Sequence, residues 1–318
     1  MIIPISHKAG SFAAGLVFIF LLFSPAGCSL WYTGKLSLPV NAPEGILLEE
    51  VPFFPQETYQ CGPSSLAMVL SWTGLELSPH DLAADVYTSS LQGSLQPSLI
   101  TAARQYGKVA YPINGTRELF AELNAAYPVI VLLNLGLSWY PKYHYAVVIG
   151  YENGGRTLIL HSGKKAAEHL SGRLFQNTWA RADYWGLLIL PPDKLPATAT
   201  EYKYIAAVAG LERTGQYKAA ASAYKTALSR WPESLPAWIG LGNSFYAQGD
   251  LLSAAGAFKQ ATELYPSYGL PFNNLAQVLW EQDKKEEALR AIHHAIELGG
   301  PSKFLFEETL HGFEQNAK

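Results

Sequence analysis

Cysteine is almost missing from this sequence. Cys28 and Cys61 are the two that its 318 residues hold. With one in an N-terminal apolar stretch and the other at a helix start, they form neither a disulfide framework nor a zinc site built on thiolates. Charge is scarce as well: 15% of residues carry it, and 23 basic against 26 acidic side chains leave a formal charge of −3. A balance so near zero gives no electrostatic reason for nucleic acid to be a ligand. There is no Gly-x-x-x-x-Gly-Lys-Ser/Thr phosphate loop, no His-Glu-x-x-His zinc motif and no series of spanning segments, so neither a cofactor nor a metal is expected. What abounds is apolar material, 49% of the chain with eight tryptophans. That excludes wholesale disorder, and the length suits about two domains held by packing.

Lys8 precedes an apolar run from Phe12 to Phe23, followed by Ser24, Pro25, Ala26, Gly27 and Cys28. Basic, apolar and small-residue parts in that order make residues 1–28 a secretory signal. The run falls short of the about 20 apolar residues a spanning helix needs, which makes a permanent anchor the weaker reading. Ala26-Gly27-Cys28 resembles the lipobox of bacterial lipoproteins, which implies cleavage before Cys28 and acylation of that residue. Pro25 stands where the pattern usually has Leu, so ordinary cleavage with a free Cys28 stays open. Ser29 resembles the sorting position of Gram-negative lipoproteins sent to the outer membrane. The expected location is the outer membrane, facing the periplasm on a lipid anchor, with a soluble periplasmic protein as the alternative.

Residues 29–47, with Gly34, Pro39, Pro43 and Gly45, hold no sustained period and read as a tether. The stretch 48–190 is helical at 63–73, helix-like at 79–87, 96–106 and 116–125, and then β-rich at Val129–Leu133, Tyr145–Tyr151, Thr157–Leu160 and Trp185–Leu190. Helices first and strands afterwards predict an α+β domain with a mainly antiparallel sheet. Pro191, Pro192 and Pro196 break both periods and mark 191–202 as an interdomain linker. Beyond it the chain repeats every 34 residues: Gly215 with Gly249, Ala220 with Ala254, Tyr224 with Phe258, Ala227 with Ala261, Pro232 with Pro266. Tyr204, Trp238 and Phe272 keep the same register, and Ala288, Ile292 and Ala295 carry it into a third copy. This looks like three tetratricopeptide repeats over 203–300, an all-α array capped by a helix within 301–318 through Phe304, Phe306, Leu310 and Phe313. The concave surface of such an array would take a protein partner or peptide.

The segment Gln56-Glu57-Thr58-Tyr59-Gln60-Cys61-Gly62-Pro63 runs into the first helix, with Pro63 in the first turn where a missing N–H costs nothing. A cysteine at that start feels the positive end of the helix dipole, so Cys61 is the predicted nucleophile, favoured as thiolate. Free N–H groups of the same turn, completed by the side-chain amide of Gln56 or Gln60, would form an oxyanion hole. Among the eight histidines, His7 is in the signal, His80 near a helix start, and His293, His294 and His311 in the repeats, where the adjacent pair lacks a third ligand for a metal. His144 opens an alternating strand that would hold its ring rigidly, and it is the predicted base. Trp139, Tyr140 and Tyr143 just ahead of it either line a substrate groove or pack as sheet-edge aromatics.

The Pro55-Gln56 pair, Cys61-Gly62-Pro63, Gly93-Ser94-Leu95-Gln96 before a helix, and the strand from His144 to Tyr151 together resemble the bacteriocin-processing cysteine peptidases, papain-like enzymes that cut leader peptides after paired glycines. The likeness covers 48–190. It implies a papain-like fold and a peptide or protein substrate cut by a Cys-His thiolate mechanism. Signal, peptidase-like domain and repeats in that order are similar to a group of proteobacterial lipoproteins, and the missing spans and phosphate loop set the chain apart from the peptidase–exporter fusions of the family. Two positions depart from the family pattern. Its Gln stands six residues before the cysteine, whereas Gln56 is five before Cys61; its Asp ends the strand after the His strand, where this chain has His161-Ser162-Gly163. His161 or Ser162 would then orient His144, with Asp183 or Glu152 as acids from elsewhere, and a neutral orienter stabilises imidazolium less than a carboxylate does. The expected function is a lipid-anchored peptidase whose repeats recruit a protein. The alternatives are a peptide-binding or assembly lipoprotein that does not cut, and a Cys-dependent acyl transferase.

Overall fold

The computed structural model describes residues 42–316. The expected signal 1–28 with Cys28, and residues 29–41 of the tether, lie outside the described residues. The end of the tether belongs to the fold: β1 (Ile46–Leu47) pairs antiparallel with Tyr151 and Gly150. Next comes α1 (Cys61–Trp72), which buries everything from Gly62 to Leu70, as a helix apolar on all sides must. In α2 (Pro79–Val86) a capping box formed by Ser78 and Asp81 fixes the start. A two-residue-strand hairpin, β2 (Tyr87–Thr88) and β3 (Gly93–Ser94), leads to α3 (Gln96–Gln105).

The sheet is built from β4 (Val109–Asn114), then, after α4 (Thr116–Asn124), β5 (Val129–Asn134), β6 (Tyr143–Glu152), β7 (Thr157–Ser162) and β8 (Lys165–Ser171), and finally, after α5 (Gly172–Ala180), β9 (Trp185–Leu190). Its order is β4-β9-β5-β6-β7-β8, antiparallel throughout, with β1 continuing along β6 where β5 has ended. One face, with Ile130, Tyr145, Val147 and Leu187, buries against α1. The other, with Val131, Ala146, Val148 and Leu188, shares a core with Phe120 of α4 and Trp179 of α5. The four β-rich runs read from sequence are β5, β6, β7 and β9. Missed were the edge strands: β4 carries Pro112, tolerated where one side has no partner, and β8, with Lys165, Glu168, His169 and Ser171 among its seven residues, shows no apolar alternation.

The repeats form as helix pairs: α6 (Glu201–Arg213) with α7 (Tyr217–Arg230), α8 (Leu235–Ala247) with α9 (Leu251–Leu264), and α10 (Gly269–Glu281) with α11 (Lys285–Leu298), closed by α12 (Lys303–Asn316). The 34-residue period has a backbone cause. Gly215 and Gly249 turn each pair at φ +74 and +76, and Asp283 takes the same turn at φ +60 in the third copy. Phe306 and Phe313 of α12 close the last core, Phe313 stacked on Trp280 at 4.3 Å. No helix among the described residues is long and apolar enough to cross a membrane.

Residues 191–202, expected as a linker, are bound to the sheet domain. The fully buried carboxylate of Glu122 in α4 accepts from Ala197 N at 2.9 Å, Thr198 N at 2.8 Å and Thr198 Oγ1 at 2.5 Å. Tyr204 and Val208 of α6 enter the same core as Tyr111 of β4, so the first repeat and the sheet share one interior. Glu122→Ala should lower the urea unfolding free energy by about 2–4 kcal/mol, because buried donors lose their acceptor. A change within experimental error would mean that the junction adds nothing to the fold.

Candidate active site

β6 is covered by β5 over residues 143–148, but β7 joins it only from Val147 onward. On that side its first four residues have no strand neighbour, and their backbone groups must find other partners. The segment entering α1 supplies them. Gln56 Nε2 donates to Tyr145 O at 3.2 Å, and the Tyr145 N–H is directed at the Cys61 sulfur. The sulfur also meets the N–H of Gly62 and its own. Pro63 has no N–H, and Ser64 N already reaches Gln60 O at 3.0 Å, so Cys61 and Gly62 hold the free donors of this helix start. Cys61, half-buried, thus sits against the residue that follows His144.

Gly62 is required by the β2–β3 hairpin. A Cβ there would stand 2.3 Å from Ser94 Oγ, while Ser94 O accepts from Tyr145 Oη at 3.3 Å. His144 Nε2 lies 3.1 Å from Ser162 Oγ. Of the two expected orienters the hydroxyl is the one in place. His161 is buried, its Nδ1 accepts from Ala167 N at 3.1 Å and its Nε2 donates to Val51 O at 3.0 Å. Those bonds fix its tautomer and hold the chain ahead of α1 to the sheet, so the expected role for His161 at His144 is corrected.

Gln56 departs from expectation in the same way. Its Nε2 donates to Tyr145 O and to Ser65 Oγ at 3.4 Å, its Oε1 accepts from Gly163 N at 3.1 Å, and its own N–H donates to Gly163 O at 2.9 Å. Both amide protons are committed to the frame, so Gln56 has none left for the expected oxyanion role. The acids considered from sequence do not serve His144 either. Glu152 Oε1 pairs with His169 Nδ1 at 3.0 Å at the far end of β6, and Asp183 lies in the turn before β9 with its carbonyl bound by Asn114. The charges that bear on His144 are Glu168 and Lys142. Leu160 pairs with Val148 on one side and Glu168 on the other, so Glu168 shares the sheet face of His144 by strand alternation. Only the pairing of β8 brings it there, which is why sequence reasoning missed it.

Burial pushes the Cys61 thiol up by more than the three N–H groups lower it. It pushes the His144 imidazolium down, with Glu168 opposing and Lys142 adding. Desolvation thus opposes the thiolate that the helix start favours, and it favours the neutral form of each group. Among the described residues no group of three or more His, Cys, Asp or Glu side chains could hold a metal ion.

Residues 48–184 match the model of the Peptidase_C39 like family. That match is followed at 209–269 by one to the tetratricopeptide repeat model, in the order that the antiparallel sheet domain and the helix pairs take along the chain. Among solved structures the chain is similar to a C39-like peptidase from Bacillus anthracis, at 19% identity over 46% of this chain and 98% of that one, with a TM-score of 0.40. It is also similar to the Sgt2 tetratricopeptide domain of Aspergillus fumigatus, at 20% identity over 37% and 78% of the two chains, TM-score 0.34. A third is the first such domain of Spaghetti (RPAP3) bound to an HSP90 peptide, at 17% over 37% and 92%, TM-score 0.34. No curated protein matches the chain.

Because Glu168 favours the charged ring, Glu168→Gln should move the His144 titration in the C39-like domain further below the ordinary histidine range, and Lys142→Gln should move it up; NMR of ring-labelled histidine reads both. No movement in either variant would remove Glu168 from the site. Gly62→Ala should cost roughly 1–3 kcal/mol by overpacking, and Ser94→Gly in the same chain should recover most of it in urea unfolding.

Proposed function

We propose that this chain is an exported, lipid-anchored cysteine peptidase whose repeats recruit a protein partner. One observation carries the reading: the Cys61 sulfur, at a helix start with free N–H groups, lies against the residue next to a histidine held by Ser162. In this reaction the sulfur bonds to the scissile carbonyl carbon as its proton passes to the His144 nitrogen not engaged by Ser162. The carbonyl oxygen takes its charge beside the Cys61 and Gly62 N–H groups. His144 then gives the proton to the departing amine, and water releases the acyl group from sulfur. The signal pattern and Ala26-Gly27-Cys28 support export and acylation, and Ser29 supports the outer membrane.

A second reading is favoured by Ser162 standing where the family has an acid: the domain holds a peptide without cutting it, as a binding or assembly lipoprotein. The two part on turnover. Full-length protein incubated with a proteome-derived peptide pool should give new termini by mass spectrometry, and Cys61→Ser or His144→Ala should reduce their rate by at least about 10³-fold. Equal product from wild type and Cys61→Ser would end the peptidase reading. Products carrying an added amine instead of water would assign acyl transfer. In a Gram-negative host, Cys28→Ser should abolish the lipid mass on the mature N-terminus; unchanged mass would remove the anchor.

A further inference from the structure

The loop between β5 and β6, residues 135–142, ends at the two residues that open into the site, Tyr143 and His144. It is held like a core element. Asn134, 1% exposed, accepts through Oδ1 from Gly136 N at 2.9 Å and Lys142 N at 3.0 Å and donates through Nδ2 to Leu137 O at 3.4 Å. Arg181 Nη2 donates to Asn134 O at 2.8 Å. Leu135 N bonds Lys142 O at 2.9 Å, and Leu137 and Tyr140 exchange two backbone bonds of 3.1 Å. Gly136 makes this closure feasible, since a Cβ there would stand 2.4 Å from Tyr140 O.

What so much bonding presents to solvent is apolar. Leu135, Leu137, Trp139, Tyr140 and Tyr143 are 50%, 55%, 80%, 73% and 57% exposed. A loop that had only to connect two strands needs none of this, and an exposed apolar patch on a fixed support is a binding feature. The residues around Cys61 expose apolar groups too. Tyr59, two residues ahead of the sulfur and held at φ +65, is 49% exposed, and Leu95 beside Ser94 is 49% exposed. Exposed apolar groups thus stand both on the loop that runs into Tyr143 and His144 and on the residues around Cys61, and Lys142 is the one charged side chain of 135–143. A membrane-binding face would call instead for basic residues around a single patch.

We propose that the β5–β6 loop is the specificity wall of the Cys61 site and that it selects an extended peptide with aromatic or large aliphatic side chains one or two residues removed from the bond attacked. This rests on the cysteine peptidase reading and names its substrate class. A side chain laid on Trp139 and Tyr140 loses apolar surface to water without any ordering of the loop, because the Asn134 post has already fixed it.

The test uses the full chain and two peptidyl chloromethyl ketones, acetyl-Leu-Phe-Gly and acetyl-Glu-Lys-Gly. Cys61 sulfur bonds to the reagent methylene carbon, chloride leaves with the bonding pair, and the thiol proton passes through His144 to solvent. Mass spectrometry gives each rate at Cys61, divided by the iodoacetamide rate of the same protein so that changes in the thiol itself cancel. The apolar reagent should react at least about tenfold faster than the charged one, as burial of one aromatic ring allows. Trp139→Ala with Tyr140→Ala should remove most of that ratio. A reactive Cys61 with no preference, or a preference untouched in the variant, overturns the role of the loop alone. Failure of Cys61 to react with any reagent removes the peptidase reading and the proposal with it. Tryptophan quenching by bromine-labelled phosphatidylcholine vesicles that vanishes in the variant, with the reagent ratio unchanged, would assign the loop to a lipid surface and overturn the proposal.

Discussion

Tyr145 has a backbone N–H and C=O that point away from β5 toward a place no strand occupies. Buried backbone groups left without partners cost free energy comparable to a lost hydrogen bond, so something must be brought there. The segment before α1 answers with the Gln56 amide on the carbonyl and the Cys61 sulfur at the N–H. One gap in a ladder thus places the Cys61 sulfur against the residue that follows His144. The same gap orders the approach to α1: Gln56 is clamped to Gly163, and Val51 is held by His161. The gap exists because β7 ends at Ser162, one residue past His161, its last partner of β6.

Burial sets the chemistry of the pair. A helix start favours a thiolate, and three N–H groups reach the sulfur, yet desolvation prevails for Cys61 and for His144 alike. Each charged form is disfavoured by its own burial. A carboxylate at the strand end would tilt that balance toward imidazolium. Here a hydroxyl holds the ring by geometry alone, and the negative charge on the same face comes from Glu168 on an edge strand, shared with Lys165 at 2.6 Å. A partly shared carboxylate on a sheet edge acts more weakly than a buried one.

The junction of the two domains is governed by packing. Proline-rich sequence between periodic segments reads as a linker, and locally it is one. Glu122, however, is buried and must be hydrogen-bonded, and the N–H groups of Ala197 and Thr198 are the donors it takes. Tyr204 and Val208 then complete the interior of the sheet domain. The array is therefore continuous with the domain that carries Cys61, and a protein held by the repeats would stand at a set distance from the sulfur.

Periodicity and turn chemistry were legible along the chain. The 34-residue spacing gave the helix pairs, because the glycines at 215 and 249 answer a local backbone need that any three-dimensional setting shares. Cys61 at a helix start and His144 at the head of an alternating strand were equally visible, since each depends on near neighbours. Partners were not. Gln56 and His161 look chemical in sequence and serve as clamps; Ser162, one of the two orienters the sequence offered, bonds His144, while Glu168, which looks ordinary, bears on it from the same face. Which polar groups end up satisfied by which is decided by strand register and burial. Those join residues more than a hundred positions apart, as His161 and Val51 are, and no spacing along the chain encodes them.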